Sequence, residues 1–252
     1  MTTLREAPLS PLRRLFRALL AVLEWLGGHE LPVLVAMVVL SGGVWAFVEI
    51  ADEVLEQESA GFDERVLLAL RTAGQPDDPL GPPWVEEMAR DFTALGGTGV
   101  LALVTLATVG YLLLAGRPHA AALALVAVLG GLLVSSLLKL GFDRPRPDLV
   151  PHATRVYTAS FPSGHSMMAA VTWLTLAAIL ARVLATNLLR AYVLVVAALV
   201  ALLVGISRVY LGVHWPTDVL AGWAAGAAWA AFCWLAAAWL QRRLLVEERL
   251  PA

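Results

Sequence analysis

The chain has one cysteine and, among its basic residues, one lysine, Lys139. A lone cysteine, Cys233, excludes an intramolecular disulfide and a cysteine-built metal site. Its place inside an apolar run makes it a small core residue. Charge is scarce as well: Asp, Glu, Lys and Arg make up 15% of the residues and the net charge is −2. No basic tract is present, so no nucleic-acid partner is expected. Period-two alternation is missing, so the apolar stretches are not barrel strands. There is no long linker and no internal repeat, and a single domain over 1–252 is expected. The stretch 10–26 lacks a small-x-small cleavage site and is broken by Glu24, which argues against a secretory signal peptide.

What is abundant is apolar: 59% of the residues are hydrophobic and the mean hydropathy is +0.75. A soluble domain of this size is not built that way. A bilayer core about 30 Å thick needs roughly 20 apolar residues per helix. The runs predict an all-α, polytopic six-helix membrane bundle, with spans over 31–48, 95–115, 120–140, 162–184, 191–206 and 216–240. Residues 10–26 read as an amphipathic interfacial helix, with Leu12, Leu15, Phe16 and Leu19 opposite Arg13 and Arg17. The acid-rich segment 49–93 is not a span. Its stretches 62–71 and 83–92 read as short amphipathic helices capping the bundle, with Pro83 in the first turn of the second.

Arginine in the short loops and tails sets the expected orientation. Arg13, Arg17, Arg117, Arg190, Arg242 and Arg243 fall on one side of a six-span chain, which the positive-inside rule makes cytoplasmic together with both termini. The acid-rich segment then lies outside, in the periplasm or its equivalent, around a multi-pass cell-membrane protein.

Three polar islands interrupt the apolar runs: KLGFDRPRP (139–147), FPSGHS (161–166) and SRVYLGVHWPTD (207–218). Ionisable residues are expensive in a membrane and mark functional sites. Counting spans puts all three islands on the outer face. There Lys139, Arg144, Arg146, Arg155 and Arg208 outnumber Asp143, Asp148 and Asp218. Guanidinium forks and an ammonium are what a phosphate dianion requires, although a lone interfacial lysine can also simply snorkel. Pro162 is read at a first helical position, leaving the N–H groups of Ser163 and Gly164 as unpaired donors at the positive end of a helix, with His165 on the same turn. An ordinary helix cap is the competing reading. Pro216 marks another helix start. Asp218, in its first turn, can reach back to His214, fix its tautomer and leave the other ring nitrogen free as a nucleophile. A capping Asp beside a structural His is the alternative. Phosphoryl transfer needs charge stabilisation, an in-line nucleophile and a leaving-group acid, and the islands supply each. They lack the carboxylate cluster of a two-metal phosphatase, so neither metal nor cofactor is expected.

Together the islands resemble the three-part signature of the type 2 phosphatidic acid phosphatase family, which is related to vanadium haloperoxidases and bacterial acid phosphatases. The family pattern is Lys, six residues, Arg-Pro; then Pro-Ser-Gly-His; then Ser-Arg, five residues, His, three residues, Asp. Lys139 with Arg146-Pro147, Pro162 to His165, and Ser207-Arg208 with His214 and Asp218 match it in order, within 139–218. The resemblance implies that His214 attacks phosphorus to form a phosphohistidine and Asp218 orients it. His165 would protonate the leaving oxygen and later activate water. Lys139, Arg146, Ser163, Gly164 and Arg208 would hold the phosphate. It assigns no role to Arg144. The implied substrate is a membrane lipid phosphate, such as phosphatidic acid, phosphatidylglycerol phosphate or undecaprenyl diphosphate. A lipid phosphotransferase and a non-enzymatic lipid-phosphate binder or transporter are the alternatives; a haloperoxidase is disfavoured by the membrane setting.

Overall fold

A computed structural model describes residues 27–151 and 159–247. The expected interfacial helix at 10–26 and Arg155 lie outside the described residues. In chain order the helices are α1 (Gly27–Leu55), α2 (Ala60–Ala69), α3 (Pro83–Ala94), α4 (Thr98–Leu114), α5 (Pro118–Gly141), α6 (Gly164–Ala181), α7 (Asn187–Tyr210) and α8 (Pro216–Glu247). A small antiparallel hairpin, β1 (Arg71–Thr72) and β2 (Gln75–Pro79), joins α2 to α3. It is little more than a turn: Gly74, at φ 77°, closes a two-residue pairing.

Among the described residues, five helices are long and apolar enough to cross a membrane: α1 over Leu31–Leu55, α5, α6, α7, and α8 over Pro216–Gln241. The first span is longer than the apolar run 31–48, because Glu49, Asp52 and Glu53 continue its helix into polar surroundings. The expected second span differs more. α4 has only 17 residues, and it qualifies as a crossing only together with α3, from which it is bent by 47°. The break falls at Gly96-Gly97. A Cβ at Gly96 would lie 2.4 Å from Val204 Cγ1 and 3.1 Å from the carbonyl oxygen of His165. Only glycine lets the chain turn this close to α6.

α6 is the central helix. It packs against α7, α8, α5 and α4, while α1 lies along α8 at the edge of the bundle. Met167, Ala169, Ala170, Val171 and Thr172 of α6 are essentially inaccessible, and the apolar stretch of α1 has no buried residue. In a membrane, lipid is as apolar as leucine, so close packing of small residues holds helices together. α8 meets α6 through Gly222 and Gly226, one turn apart. A Cβ there would come 2.7 Å from Ser163 O and 2.5 Å from Met167 O. This contact sets the first turns of α6 and α8 side by side, and those turns carry His165 and Asp218.

Candidate active site

The loop between α7 and α8, residues 211–215, is built to place one histidine. Gly212 turns the chain at φ 72°, a left-handed value that favours glycine. The C-terminal end of α7 is tied down by Arg71, whose Nη1 donates to Tyr210 O at 3.0 Å, and by the Tyr210 hydroxyl, which donates to Leu80 O at 3.0 Å. Trp215 Nε1 donates to Pro145 O at 3.1 Å and Arg146 Nη1 to Val213 O at 2.6 Å. α8 starts at Pro216 as the sequence suggests, with Asp218 in its first turn. Asp218 reaches back in the expected way. Its Oδ2 accepts from the backbone N–H of Trp215 at 3.0 Å and from the Ser160 hydroxyl, and lies 3.3 Å from His214 Nδ1. On the other side of the ring, His214 Nε2 is 3.1 Å from Arg146 Nη1. A guanidinium has no acceptor, so Nε2 carries the lone pair and the ring proton sits on Nδ1, facing Asp218. His214 is only 2% exposed. Burial pushes its imidazole down to about 4, the charges of Arg146 and Arg208 act the same way, and the hydrogen bond and charge of Asp218 oppose them. The ring is therefore neutral at physiological pH, the state a nucleophile needs.

The remaining site residues close around this ring. Lys139, in the last turn of α5, donates to Ala159 O at 2.8 Å, and its Cε would be 3.4 Å from a Cβ on Gly164. His165 lies within electrostatic reach of Arg208, His214, Arg146 and Lys139 together. Arg208, 3% exposed, donates through Nη1 to Thr93 Oγ1 at 3.1 Å, and its Nε has no hydrogen-bond partner. Two expectations about the second island need correction. α6 begins at Gly164 with Ser163 as its N-cap, so Pro162 precedes the cap rather than opening the helix. The Ser163 N–H is not a spare donor either: it donates to the carbonyl of Asp218 at 2.9 Å, and Ser163 Oγ accepts from Ser166 N at 3.4 Å and from the Ser166 hydroxyl at 2.9 Å. Close packing of α6 on α8 spends that amide on helix pairing. The orphan first-turn amides are those of Gly164 and His165, one residue further on.

The PAP2 superfamily model matches residues 120–242, the part of the chain that holds Lys139, Arg146, His165, Arg208, His214 and Asp218. Phosphatidylglycerophosphatase B of Bacillus subtilis (strain 168) is 38% identical over 146 residues, which is 57% of this chain and 71% of that protein. The chain belongs to the PAP2 superfamily. An undecaprenyl-diphosphatase of Sulfolobus acidocaldarius is 35% identical over 99 residues, 39% of this chain and 42% of the relative. Among solved structures, a transmembrane PAP2-type phosphatidylglycerolphosphate phosphatase from Bacillus subtilis superposes with a TM-score of 0.63 at 27% identity, covering 79% of this chain and 93% of that one. Aquifex aeolicus LpxE, at 22% identity, shares the fold with a TM-score of 0.52 over 69% of this chain and 94% of its own. This PAP2 member is accordingly a multi-pass membrane protein.

The three islands do not hold every residue that reaches the site of this PAP2 chain: the Ser160 hydroxyl donates to Asp218, Thr93 accepts from Arg208, and Asp63 accepts from Arg144. Asp63 of α2 is 1% exposed. Its Oδ2 accepts from Arg144 Nη2 at 2.7 Å and from Thr217 Oγ1 at 2.6 Å, and its Oδ1 from the backbone N–H of Thr217 at 2.9 Å. Arg144 in turn donates to Asp218 Oδ1 at 2.7 Å and to Thr217 Oγ1 at 2.8 Å, and stacks 5.7 Å over the Trp215 ring. α2 is thus more than a cap over the bundle. The signal was present in FDERVLLALR: Asp63 and Leu67, four apart, share the buried face, and a carboxylate on the apolar stripe of an amphipathic helix needs a partner. A cavity of about 330 Å³ opens beside the pair, lined by Ser59, Asp63, Phe142, Arg144 and Trp215 among others, and by none of Lys139, Arg146, His165, Arg208 or His214. Among the described residues, no group of three or more His, Cys, Asp or Glu side chains is placed to hold a metal ion.

Proposed function

We propose that this PAP2 protein is a metal-independent lipid phosphatase that works through a phosphohistidine on His214. The observation that carries this reading is the His214 ring itself: Nδ1 faces Asp218 Oδ2 at 3.3 Å, and Nε2, with its lone pair, faces Arg146 inside a cluster of cations. In the first half-reaction His214 Nε2 attacks phosphorus, the N–P bond forms and the bond to the lipid oxygen breaks. His165 gives that oxygen its proton. In the second, His165 takes a proton from water, the hydroxide attacks phosphorus, and the N–P bond breaks to release inorganic phosphate. Asp218 compensates the charge on the imidazole as its Nε2 bonds. Lys139, Arg146 and Arg208, with the first-turn amides of α6 contributed by Gly164 and His165, stabilise the charge on the equatorial oxygens. Ser163 acts on the phosphate only through the helix it caps.

The substrate class is a lipid monophosphate or diphosphate. The relatives named for phosphatidylglycerophosphate and undecaprenyl diphosphate support it, as does a site at the ends of the spans, where a headgroup arrives laterally from the bilayer. Arginines at the opposite ends of the spans, Arg117 in a short connection and Arg190 in the first turn of α7, support an outward-facing site with both termini in the cytoplasm, in one membrane-embedded domain. The test is phosphate release by the purified protein from micelles of phosphatidic acid, phosphatidylglycerol phosphate and undecaprenyl diphosphate, with and without a chelator. Release that is indifferent to the chelator is expected. Chelator-sensitive release contradicts the metal-free chemistry, and tight binding without turnover makes the protein a lipid-phosphate binder. A labelled alcohol acceptor in the same assay separates hydrolysis from transfer.

A further inference from the structure

We infer that Asp63 and Arg144 act as a pair of positioning residues for the reaction, holding the Asp218–His214 couple in place from a helix outside the spans. The inference rests on the reading of His214 as the nucleophile. The groups form one continuous line. Asp63 Oδ2 takes Arg144 Nη2 at 2.7 Å, Arg144 Nη1 takes Asp218 Oδ1 at 2.7 Å, and Asp218 Oδ2 faces His214 Nδ1 at 3.3 Å. Asp63 and Asp218 are 1% and 0% exposed, and the Arg144 side chain 14%.

Each link has a separate physical consequence. With one oxygen of Asp218 fixed by Arg144, its other oxygen can only point at His214, Ser160 and the Trp215 N–H. Arg144 alone would draw the Asp218 charge towards itself and away from the imidazole. Asp63 shares the guanidinium and leaves more of the carboxylate's field for His214. Asp63 also accepts the Thr217 N–H at 2.9 Å, so a carboxylate from α2 caps the first turn of α8, the turn that carries Asp218. Ser59 Oγ, 3.4 Å from Arg144 Nη2, completes the arginine's setting from the residue before α2. A staple serving stability alone would not need to end on the free oxygen of the carboxylate that orients the proposed nucleophile.

The experiment compares the full-length protein with Asp63→Asn, Asp63→Glu, Arg144→Gln, the Asp63→Asn/Arg144→Gln double variant, and Glu64→Gln as a surface control on the same helix. Steady-state kinetics on a lipid phosphate, the single-turnover rate of phosphohistidine formation and thermal stability are read for each. Asp63→Asn should lower kcat and the phosphohistidine formation rate by about 10- to 100-fold, the range seen when outer-shell partners of an active group are removed, with KM within about 2-fold. Asp63→Glu should recover part of that loss and Glu64→Gln should match the unmodified protein. The double variant removes both charges and keeps the test decisive if Asp63→Asn does not fold. It should regain stability while phosphohistidine formation stays slow. Additive losses from the two single substitutions, a change in KM alone, or a double variant that regains rate together with stability would overturn the inference. If the unmodified protein forms no phosphohistidine on His214, the parent reading fails and takes the inference with it. If it does form and Asp63→Asn forms it equally fast, only the role of the pair fails.

Discussion

Arg208 is a buried cation whose hydrogen bonding is incomplete. It is buried at the end of α7, bonded through Nη1 to Thr93, and left without a partner at Nε, close to the charge of Arg146. A buried cation in such company is destabilising until an anion joins it. Inorganic phosphate or vanadate should therefore raise the unfolding temperature of the detergent-solubilised protein. The stabilisation should approach about 2.7 kcal/mol at a hundred times the dissociation constant. Arg208→Met should raise the ligand-free unfolding temperature and abolish the response to phosphate; a variant that still responds in full places the anion elsewhere. His214 gives a pH prediction of definite sign. Its folded value of about 4 lies below the ordinary 6.5, so between those values the unfolded chain binds more protons. Stability due to this group is complete above about 6.5 and is lost as pH falls towards 4, by at most about 3 kcal/mol. Unfolding temperatures from pH 7 to 4 should drop more steeply for the unmodified protein than for His214→Gln, and parallel curves would contradict the neutral buried imidazole.

Helix packing decides whether these side chains meet at all. The close approach of α8 to α6 depends on Gly222, where a Cβ would lie 2.7 Å from Ser163 O and 3.0 Å from Ser166 Cβ. Gly222→Val should cost about 1–3 kcal/mol of stability by overpacking. It should also reduce activity beyond what the stability loss explains, because Ser163 N–H and Asp218 O are bonded across the same contact at 2.9 Å. Thermal unfolding and specific activity on one preparation check this. Full activity in Gly222→Val would mean that the two first turns need not touch. At this scale the sequence was informative in a particular way. Long apolar runs marked where α1, α5, α6, α7 and α8 lie, and Pro216 marked the start of α8, whereas α6 starts two residues after Pro162. Legibility failed where a partner distant in the chain decides the outcome. The fate of the Ser163 amide depends on Asp218 across a helix pair. The bend at Gly96-Gly97 depends on Val204 and His165. Asp63 is tied to Arg144 and Thr217, far away along the chain. No local pattern encodes those meetings, although an acid on a buried helical stripe announces that one must occur.

For the molecule as a whole, the described loops divide into two kinds. At one end the described chain is long, with α2, the hairpin, residues 142–151 and 159–163 between α5 and α6, and the His214 loop. At the other, the connections at 115–117 and 182–186 are short, and Arg182 closes one of them by donating to Gln241 Oε1 at 3.0 Å and stacking 5.9 Å over Trp234. On a Cys233→Ser background, Asp77→Cys should react with a membrane-impermeant maleimide on intact cells, and Arg117→Cys only after permeabilisation. The reverse pattern would turn the protein over in the membrane and put the site in the cytoplasm.

The most direct measurement is to trap the phosphorylated protein. Rapid acid-free quenching during turnover of a lipid phosphate, followed by peptide mass spectrometry, should find phosphate on His214 and on no other residue. The signal should disappear in His214→Asn, with turnover reduced by about 10⁴-fold or more. Phosphate on His165, or undiminished turnover in His214→Asn, would contradict the assignment of His214 Nε2 as the attacking atom.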